Sequence, residues 1–473
     1  MEQCIRIMYS DEANFIDIEK MKNSVFLIAL IGCLHVASGT IYAESVGNLI
    51  PNGDFAHGEI GKIPESWTLV IPNPALAPTF QLVEKDGKKM LMAQGNGRKE
   101  CFGFVKAPFT MIKDKTYRLS VRFKIEGIDD VNRNLRHGFF GDRWADYNNG
   151  IFDYRREGDM IVGERVFIAG GEKREMRLYF RSSPHGKVWW EEIRLEECEP
   201  IAPRLVKIAV VAGKRNLDGW KAFLDDAGEK KCDVALLPEF FVPGVHEMES
   251  PIMKMLSEKA KQWKMYISCS LVLKRGDVTY NSAPLFDREG KLIGIYDKVN
   301  LFEPEFDDGV SPGESVPVFK TDFGTVGIMI CYDSWHPAVA KLLALKGAEV
   351  ILFPNVGYYR QLMDARASDN GVVVAASSQH DMCGVWDAGS NLGGGTSNYQ
   401  NRLGPLQIVS FEENAEKNTH FVTVDLSIES SPAFAGGTML SAPGGRRVRA
   451  TGNFYLEDEI AHEVRRWETL PAK

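Results

Sequence analysis

The sequence predicts two folded parts in tandem, an all-β sandwich followed by an α/β layered domain. Three observations carry this expectation. From about residue 48 to residue 197, short runs such as Val121-Arg122-Phe123-Lys124-Ile125 and Met176-Arg177-Leu178-Tyr179-Phe180 alternate apolar and more polar side chains, as half-buried antiparallel strands do. No helix-period segment of useful length interrupts them. Beyond the proline-marked boundary Pro200-Ile201-Ala202-Pro203, apolar runs alternate with helical stretches. That order is expected of a layered α/β fold, whose functional groups collect at the C-terminal ends of strands.

Bulk properties agree with a folded chain of more than one domain. It has 473 residues, 44% of them hydrophobic and 25% charged, the balance of a globular protein. A net charge of −8 excludes nucleic acid as the main partner, because phosphate binding needs a basic face.

Residues 1–43 are expected to be a leader. Met21-Lys22-Asn23 is basic, Val25 to Gly32 is apolar, and Thr40-Ile41-Tyr42-Ala43 ends in a small residue suited to cleavage. With translation starting at Met21, this is a secretory signal and the protein is exported, periplasmic or extracellular. Leu30-Ile31-Gly32-Cys33 also has the form of a lipoprotein box, which would anchor the chain through a lipidated Cys33. The apolar residues that follow Cys33 favour plain cleavage. The eight cysteines are scattered, with no CxxC pair and no Cys/His cluster of zinc-ligand spacing, so neither a metal nor another cofactor is expected. Cys101 and Cys198 share the first part of the chain, and export makes a disulfide between them chemically open.

The β-rich part begins Asn48-Leu49-Ile50-Pro51-Asn52-Gly53-Asp54-Phe55, continues with Pro64-Glu65-Ser66-Trp67, and closes on Gly186-Lys187-Val188-Trp189-Trp190-Glu191-Glu192-Ile193-Arg194-Leu195. These ends resemble the first and last strands of a galactose-binding-like, carbohydrate-binding-type jelly roll, here over residues 46–199. The resemblance implies a possible glycan partner. Phe139 to Asn149 concentrates aromatics, carboxylates and amides, the mixture that sugar sites use. The competing reading is that its rings pack the sandwich.

In the α/β part, Val206–Val211, Val234–Leu237, Met265–Val272, Val326–Ile330, Val350–Pro354 and Val372–Ala376 read as strands. Asp218–Glu229, Ile252–Trp263, a run opened by Pro337, and Gln361–Asn370 read as helices. Cys331 follows a strand directly. A cysteine at a strand-to-helix junction meets free backbone N–H groups and the positive helix end, which favour a thiolate. Taken alone, such a cysteine is more often a core residue.

Two further stretches reverse that balance. Leu236-Leu237-Pro238-Glu239-Phe240, Tyr296-Asp297-Lys298-Val299-Asn300-Leu301 and Gly327-Ile328-Met329-Ile330-Cys331-Tyr332-Asp333 resemble, in family order, the three signatures of the nitrilase superfamily of carbon–nitrogen hydrolases. Gly347 to Pro354 and Asp364-Ala365-Arg366-Ala367 resemble later family segments. The likeness covers about residues 204–426 of a domain expected over 204–430, and implies a four-layer αββα sandwich. The chemistry explains the residue types. Free cysteine, with a pKa near about 8.5, is only a few per cent thiolate at neutral pH. Glu239 is therefore expected to take the thiol proton and later activate water. Lys298 supplies fixed positive charge for the thiolate and the developing oxyanion, with the Tyr332 N–H as a second oxyanion donor.

The resemblance also implies a second glutamate that positions substrate. Glu303 and Glu305 both qualify by distance, and the stretch from Glu305 to Pro312-Gly313 favours Glu305. Cys331-Tyr332-Asp333 differs from the Cys-Trp-Glu of nitrile-cleaving members and looks more like amidases and carbamoylases, so a small linear amide or N-carbamoyl substrate is expected. Gly393-Gly394-Gly395-Thr396-Ser397-Asn398-Tyr399 departs from the family's Gly-Ser strand. It carries no Lys-Ser/Thr, which excludes a nucleotide loop. An N-acyltransferase using the same thioester, or an inactive glycan-binding surface protein, are the alternatives. The extension 431–473 contains basic Arg446-Arg447-Val448-Arg449 and a helical Glu457–Trp467. Such tails in relatives cross to a second subunit, so a homodimer is expected. Mass spectrometry of the mature N-terminus tests the leader. Glu44 is the expected first residue, and a modified Cys33 would show lipidation instead.

Overall fold

The computed structural model describes residues 47–140, 149–151, 154–169, 173–380, 382–387 and 407–427. The expected leader with Met21 and Cys33, the core of the Phe139–Asn149 stretch, the Gly393–Tyr399 segment and the C-terminal extension lie outside the described residues. Among those described, no helix is long and apolar enough to cross a membrane.

The N-terminal region is β-rich. One antiparallel sheet runs in the order Thr68–Val70, Phe102–Thr110, Lys173–Arg181, Leu135–Phe140, Asn149–Ile151. The other runs Thr79–Lys85, Lys88–Gln94, Lys187–Glu197, Thr116–Glu126, Met160–Ile168, Tyr154–Glu157. Period-two patterning buries Tyr117, Leu119, Val121 and Phe123 from one sheet in the same cluster as Val105, Ala107, Leu178 and Phe180 from the other. Phe139 belongs to this core and packs against Phe109 and Phe167, with ring centroids 6.0 and 4.6 Å away. That residue of the aromatic stretch therefore serves the core. His137 is fully buried beside Trp190, whose Nε1–H donates to His137 Nε2 at 2.8 Å, and Tyr154 Oη lies 2.8 Å from its Nδ1. Burial drives its pKa down to about 3, so it is a neutral core residue. Cys101 and Cys198 are not bonded to each other. Both are free thiols, and the buried Cys101 Sγ donates to the Ser183 carbonyl at 3.4 Å.

The second region has four layers. Its first sheet centres on Leu205–Val211, Val234–Leu236 and Tyr266–Ser268, paired in parallel, with Thr419–Asp425 returning antiparallel beside Leu205–Val211. Its second sheet has Thr325–Ile328, Val350–Asn355 and Val373–Ser378 in parallel, flanked by antiparallel Val318–Lys320 and Gly384–Trp386. Alternation along a single strand shows how the layers are specified. Val206, Ile208 and Val210 face the core shared with the second sheet, and Ala209 and Val211 face Trp220, Phe223, Leu224 and Leu256 of the helices Leu217–Glu229 and Pro251–Trp263. The second sheet is covered by Pro337–Leu345 and Arg360–Asn370, which contribute Leu343, Met363 and Ala367. This is the αββα order.

The two sheets are laced together at their C-terminal ends. Ser377 Oγ donates to the Leu236 carbonyl at 2.7 Å and accepts from the Val211 N–H at 3.0 Å. One expected strand is divided: Met265–Val272 is Tyr266–Ser268 and Leu271–Arg275, broken at Cys269-Ser270. The Ser270 N–H leaves the ladder for the Pro238 carbonyl at 3.2 Å, which places Ser270 under the site described below. Truncating Ile208 to Ala, in the fully enclosed sheet–sheet core, should cost about 2–5 kcal/mol in denaturant unfolding. Alkylation under non-reducing denaturation should label both Cys101 and Cys198, and a protected pair would contradict the free thiols.

Candidate active site

Three chain segments deliver their functional groups to one place because each follows a strand at the same end of the sandwich. Glu239 comes two residues after Leu237, and its N–H donates to the Asn355 carbonyl at 3.3 Å, across to the second sheet. Lys298 follows the strand Leu292–Asp297. Its backbone is clamped on both sides, with its N–H donating to the Asn281 carbonyl and its carbonyl accepting from Gly313 N–H, both at 2.9 Å. Cys331 follows Thr325–Ile328 and is half-buried. Glu305 sits in the short helix Glu303–Asp307. Of the two glutamates that spacing allowed, Glu305 is brought to Lys298 and is 7% exposed, whereas Glu303 faces solvent.

Glu239 and Lys298 are each only 1% exposed. Lys298 Nζ lies 3.0 Å from Glu239 Oε1 and 2.6 Å from Glu305 Oε2. Asn281 Nδ2 donates to Glu239 Oε1 at 2.8 Å and to Glu305 Oε1 at 2.7 Å. The Val356 N–H donates to Glu239 Oε2 at 3.1 Å and the Phe302 N–H to Glu305 Oε2 at 2.8 Å. Burial raises the Glu239 pKa, opposed by Lys298 and reinforced by the Glu305 charge. Burial pulls the Lys298 pKa down, but Glu239, Cys331 and Glu305 outweigh it, and the ammonium titrates above its ordinary range.

The thiol departs from expectation. Burial, with the Glu239 carboxylate beside it, pushes the Cys331 pKa up to about 12 despite the opposing charge of Lys298. The resting group is a neutral thiol beside the Glu239 carboxylate. Two carboxylates against one ammonium leave no net positive charge to hold a thiolate. Nor does a helix begin at the cysteine. Cys331–Trp335 is a 3₁₀ turn, and the helix starts at Pro337, so its positive end does not reach the sulfur. What the turn supplies is shape. Cys331 has φ 42° and Phe240, next to Glu239, has φ 48°, a left-handed conformation that costs a non-glycine residue about 1–3 kcal/mol and is retained where the surroundings enforce it. Tyr332, the next residue, lines the same cavity as Lys298.

Asp333 enforces that turn. The fully buried carboxylate accepts from Tyr296 Oη at 2.6 Å and the Ile330 N–H at 2.9 Å on Oδ2, and from the Asn300 N–H at 3.1 Å and Nδ2 at 2.9 Å on Oδ1. It ties the cysteine turn to the segment carrying Lys298 and does not line the cavity. Arg366 adds a second tie, its Nη2 donating to the Ser334 carbonyl at 3.0 Å.

The four groups open onto a cavity of about 930 Å³ walled by Val242, Val245, Val272 and Val310, with Phe302 and Trp335 at the aromatic side. Tyr332 also lines it, its ring 5.5 Å from Phe302 and 6.5 Å from Trp335. Among the described residues no group of three His, Cys, Asp or Glu side chains is arranged to hold a metal ion. Sequence reasoning missed Asn281 and the bracing role of Asp333. The signal for Asn281 was present: Asn281-Ser282 places two polar residues in the middle of a strand, Val278–Phe286, that is otherwise buried from that point on.

An αββα sandwich that presents a strained thiol, a buried carboxylate and a buried ammonium at one cavity is a nitrilase-fold domain. Residues 206–459 match the carbon-nitrogen hydrolase family, more than half of the chain, and the protein belongs to that family. It is similar to the citrullinase of Francisella tularensis, 29% identical over 154 residues that cover 28% of this chain and 52% of that protein. It is also similar to the chloroplastic omega-amidase of Arabidopsis thaliana, 29% identical over 227 residues, 40% of this chain and 62% of that protein. With the N-carbamoylputrescine amidase of Solanum tuberosum it shares 27% identity over 158 residues, 30% of this chain and 53% of that protein. The chain thus spans between about half and three fifths of the length of these curated relatives.

Asp333→Ala should lower unfolding stability by at least about 3 kcal/mol, because several buried donors lose their acceptor together. Iodoacetamide should reach the loosened Cys331 at a changed rate. Stability within about 1 kcal/mol of the parent would show that Asp333 does not brace the turn.

Proposed function

We propose that the protein is an amidase- or carbamoylase-type hydrolase that cleaves a linear amide or N-carbamoyl bond through a thioester on Cys331. The observation that carries this reading is the contact of one thiol with a buried carboxylate that is itself paired to a buried ammonium, all open to a cavity. The names of the relatives, two amidases and a citrullinase, agree with it.

The chemistry is as follows. Cys331 Sγ attacks the carbonyl carbon while its proton passes to Glu239, so no free thiolate need accumulate. Charge moves to the substrate oxygen, which Lys298 Nζ and the Tyr332 N–H stabilise. Glu239 then gives its proton to the leaving nitrogen, the C–N bond breaks, and ammonia or an amine departs from an acyl or carbamoyl thioester. Water attacks that carbon, its proton going to Glu239. The C–S bond breaks, the sulfur recovers a proton, and the acid is released. Glu305 positions Lys298 and, through it, the substrate. Because Asp333 does not line the cavity, that carboxylate makes no contact that would select an amide over a nitrile. Export remains part of this reading on the pattern of the leader.

Ammonia release from a panel of amides and N-carbamoyl amines should identify substrates. Cys331→Ala should lower kcat by roughly 10⁴-fold or more with an unchanged circular dichroism spectrum, and retained turnover would reject the mechanism. Transfer of the acyl group to an added amine in preference to water would identify an acyltransferase instead. The pH profile gives a second check. The working form of Glu239 is the carboxylate, and its pKa is raised, so kcat/KM is held at high pH and lost as pH falls through the raised value. That acid limb should lie above about 4.3, the ordinary glutamate value. A limb below that value would remove Glu239 as the base.

A further inference from the structure

We propose that Asn281 is a positioning residue of the site, and that it fixes the oxygen of Glu239 that receives the thiol proton. The inference rests on the reading of Glu239 as the base of Cys331.

Asn281 is fully buried and touches both carboxylates of the site and the backbone of its lysine. Its backbone carbonyl holds the Lys298 N–H at 2.9 Å. Its Nδ2 stands 2.8 Å from Glu239 Oε1 and 2.7 Å from Glu305 Oε1. A primary amide has two N–H donors on nitrogen and only lone pairs on oxygen. Two carboxylate oxygens at these distances therefore force the nitrogen towards them. Its Oδ1 accepts from the Ser270 hydroxyl, and Ser270 is in turn tied by its N–H to the carbonyl of Pro238 at 3.2 Å, the residue before Glu239. The break in the strand at Cys269-Ser270 places Ser270 for both contacts.

The consequence lies in how the lone pairs of Glu239 are used. Of the nitrogen donors, Asn281 Nδ2 and Lys298 Nζ both go to Oε1, while Oε2 takes only the Val356 N–H. The oxygen with a lone pair to spare is Oε2. The thiol proton moves from Sγ to Oε2 and leaves from there to the departing nitrogen, while Oε1 stays an acceptor throughout. Asn281 thus stabilises the carboxylate form of Glu239 and holds it against the repulsion of Glu305. Without it, Glu239 would protonate at a higher pH.

The test uses two readouts on the full chain. One is the pH dependence of Cys331 alkylation by iodoacetamide, followed on the Cys331 peptide by mass spectrometry, which requires no known substrate. The other is the pH profile of kcat/KM on the best amide of the panel. In Asn281→Ala the acid limb of both profiles should move up by about one to two pH units, the loss of one hydrogen bond to a charged group. Asn281→Asp should move it further, since a third carboxylate then faces the other two. Ser270→Ala, which leaves the amide in place but frees its rotation, should move it in the same direction by less, and keeps the idea testable if the Asn281 variants do not fold. Limbs that stay in place while thermal stability falls would make Asn281 merely structural and overturn the proposal. A shifted alkylation limb with no turnover of any amide would leave it standing and sink the proposed hydrolase activity alone.

Discussion

The site depends on one buried ammonium that compensates two buried carboxylates. Removing Glu239, Glu305 and Lys298 from water costs several kcal/mol for each ion, and the cost is recovered only if geometry and additional hydrogen bonds are good. Here both glutamates accept from Lys298 Nζ, both accept from Asn281 Nδ2, and each takes one more backbone N–H, from Val356 or Phe302. One negative charge is left over. Burial, with the Glu239 charge beside it, is what keeps the thiol from being acidic, and in the proposed mechanism proton transfer to Glu239 accompanies attack. A cysteine activated by net positive charge and one activated by an adjacent base are different devices, and this geometry supports the second.

The scaffold turns this arrangement into a fixed one. Parallel strands of two sheets end at the same level, Ser377 stitches the sheets there, and Glu239 and Lys298 are held by backbone hydrogen bonds to neighbouring segments. The left-handed backbone at Phe240 and Cys331 is strain that such a framework can hold. Asp333 gathers four donors from three residues around the cysteine turn, so the residue most distinctive in the nucleophile motif works behind the reacting atoms.

Much of this was legible in the sequence. Residue alternation gave the strands of Thr116–Glu126 and Lys173–Arg181, and the αβ alternation gave the helices Pro337–Leu345 and Arg360–Asn370 to within a residue or two at each expected end. The motifs singled out the residues that the fold then brings together. What could not be read was anything decided by three-dimensional charge balance. Local sequence suggested a thiolate at a helix start. The helix begins six residues after Cys331, and the pKa is set by burial and by the charges of Glu239 and Lys298, residues remote in sequence. Asn281 has no motif of its own, and its role appears only when two glutamates distant in sequence share its nitrogen. The possible Cys101–Cys198 disulfide was a matter of spatial distance, which scattered cysteines do not encode.

The surplus negative charge has a further consequence. In the proposed mechanism the thiol proton moves to Glu239; the sum of charges over Cys331, Glu239, Glu305 and Lys298 then does not change, and the displacement covers only a hydrogen-bond length. Small ions in solution have nothing to neutralise during this transfer. Ionic strength therefore acts on how a charged substrate approaches the cavity and leaves the proton transfer inside it nearly untouched.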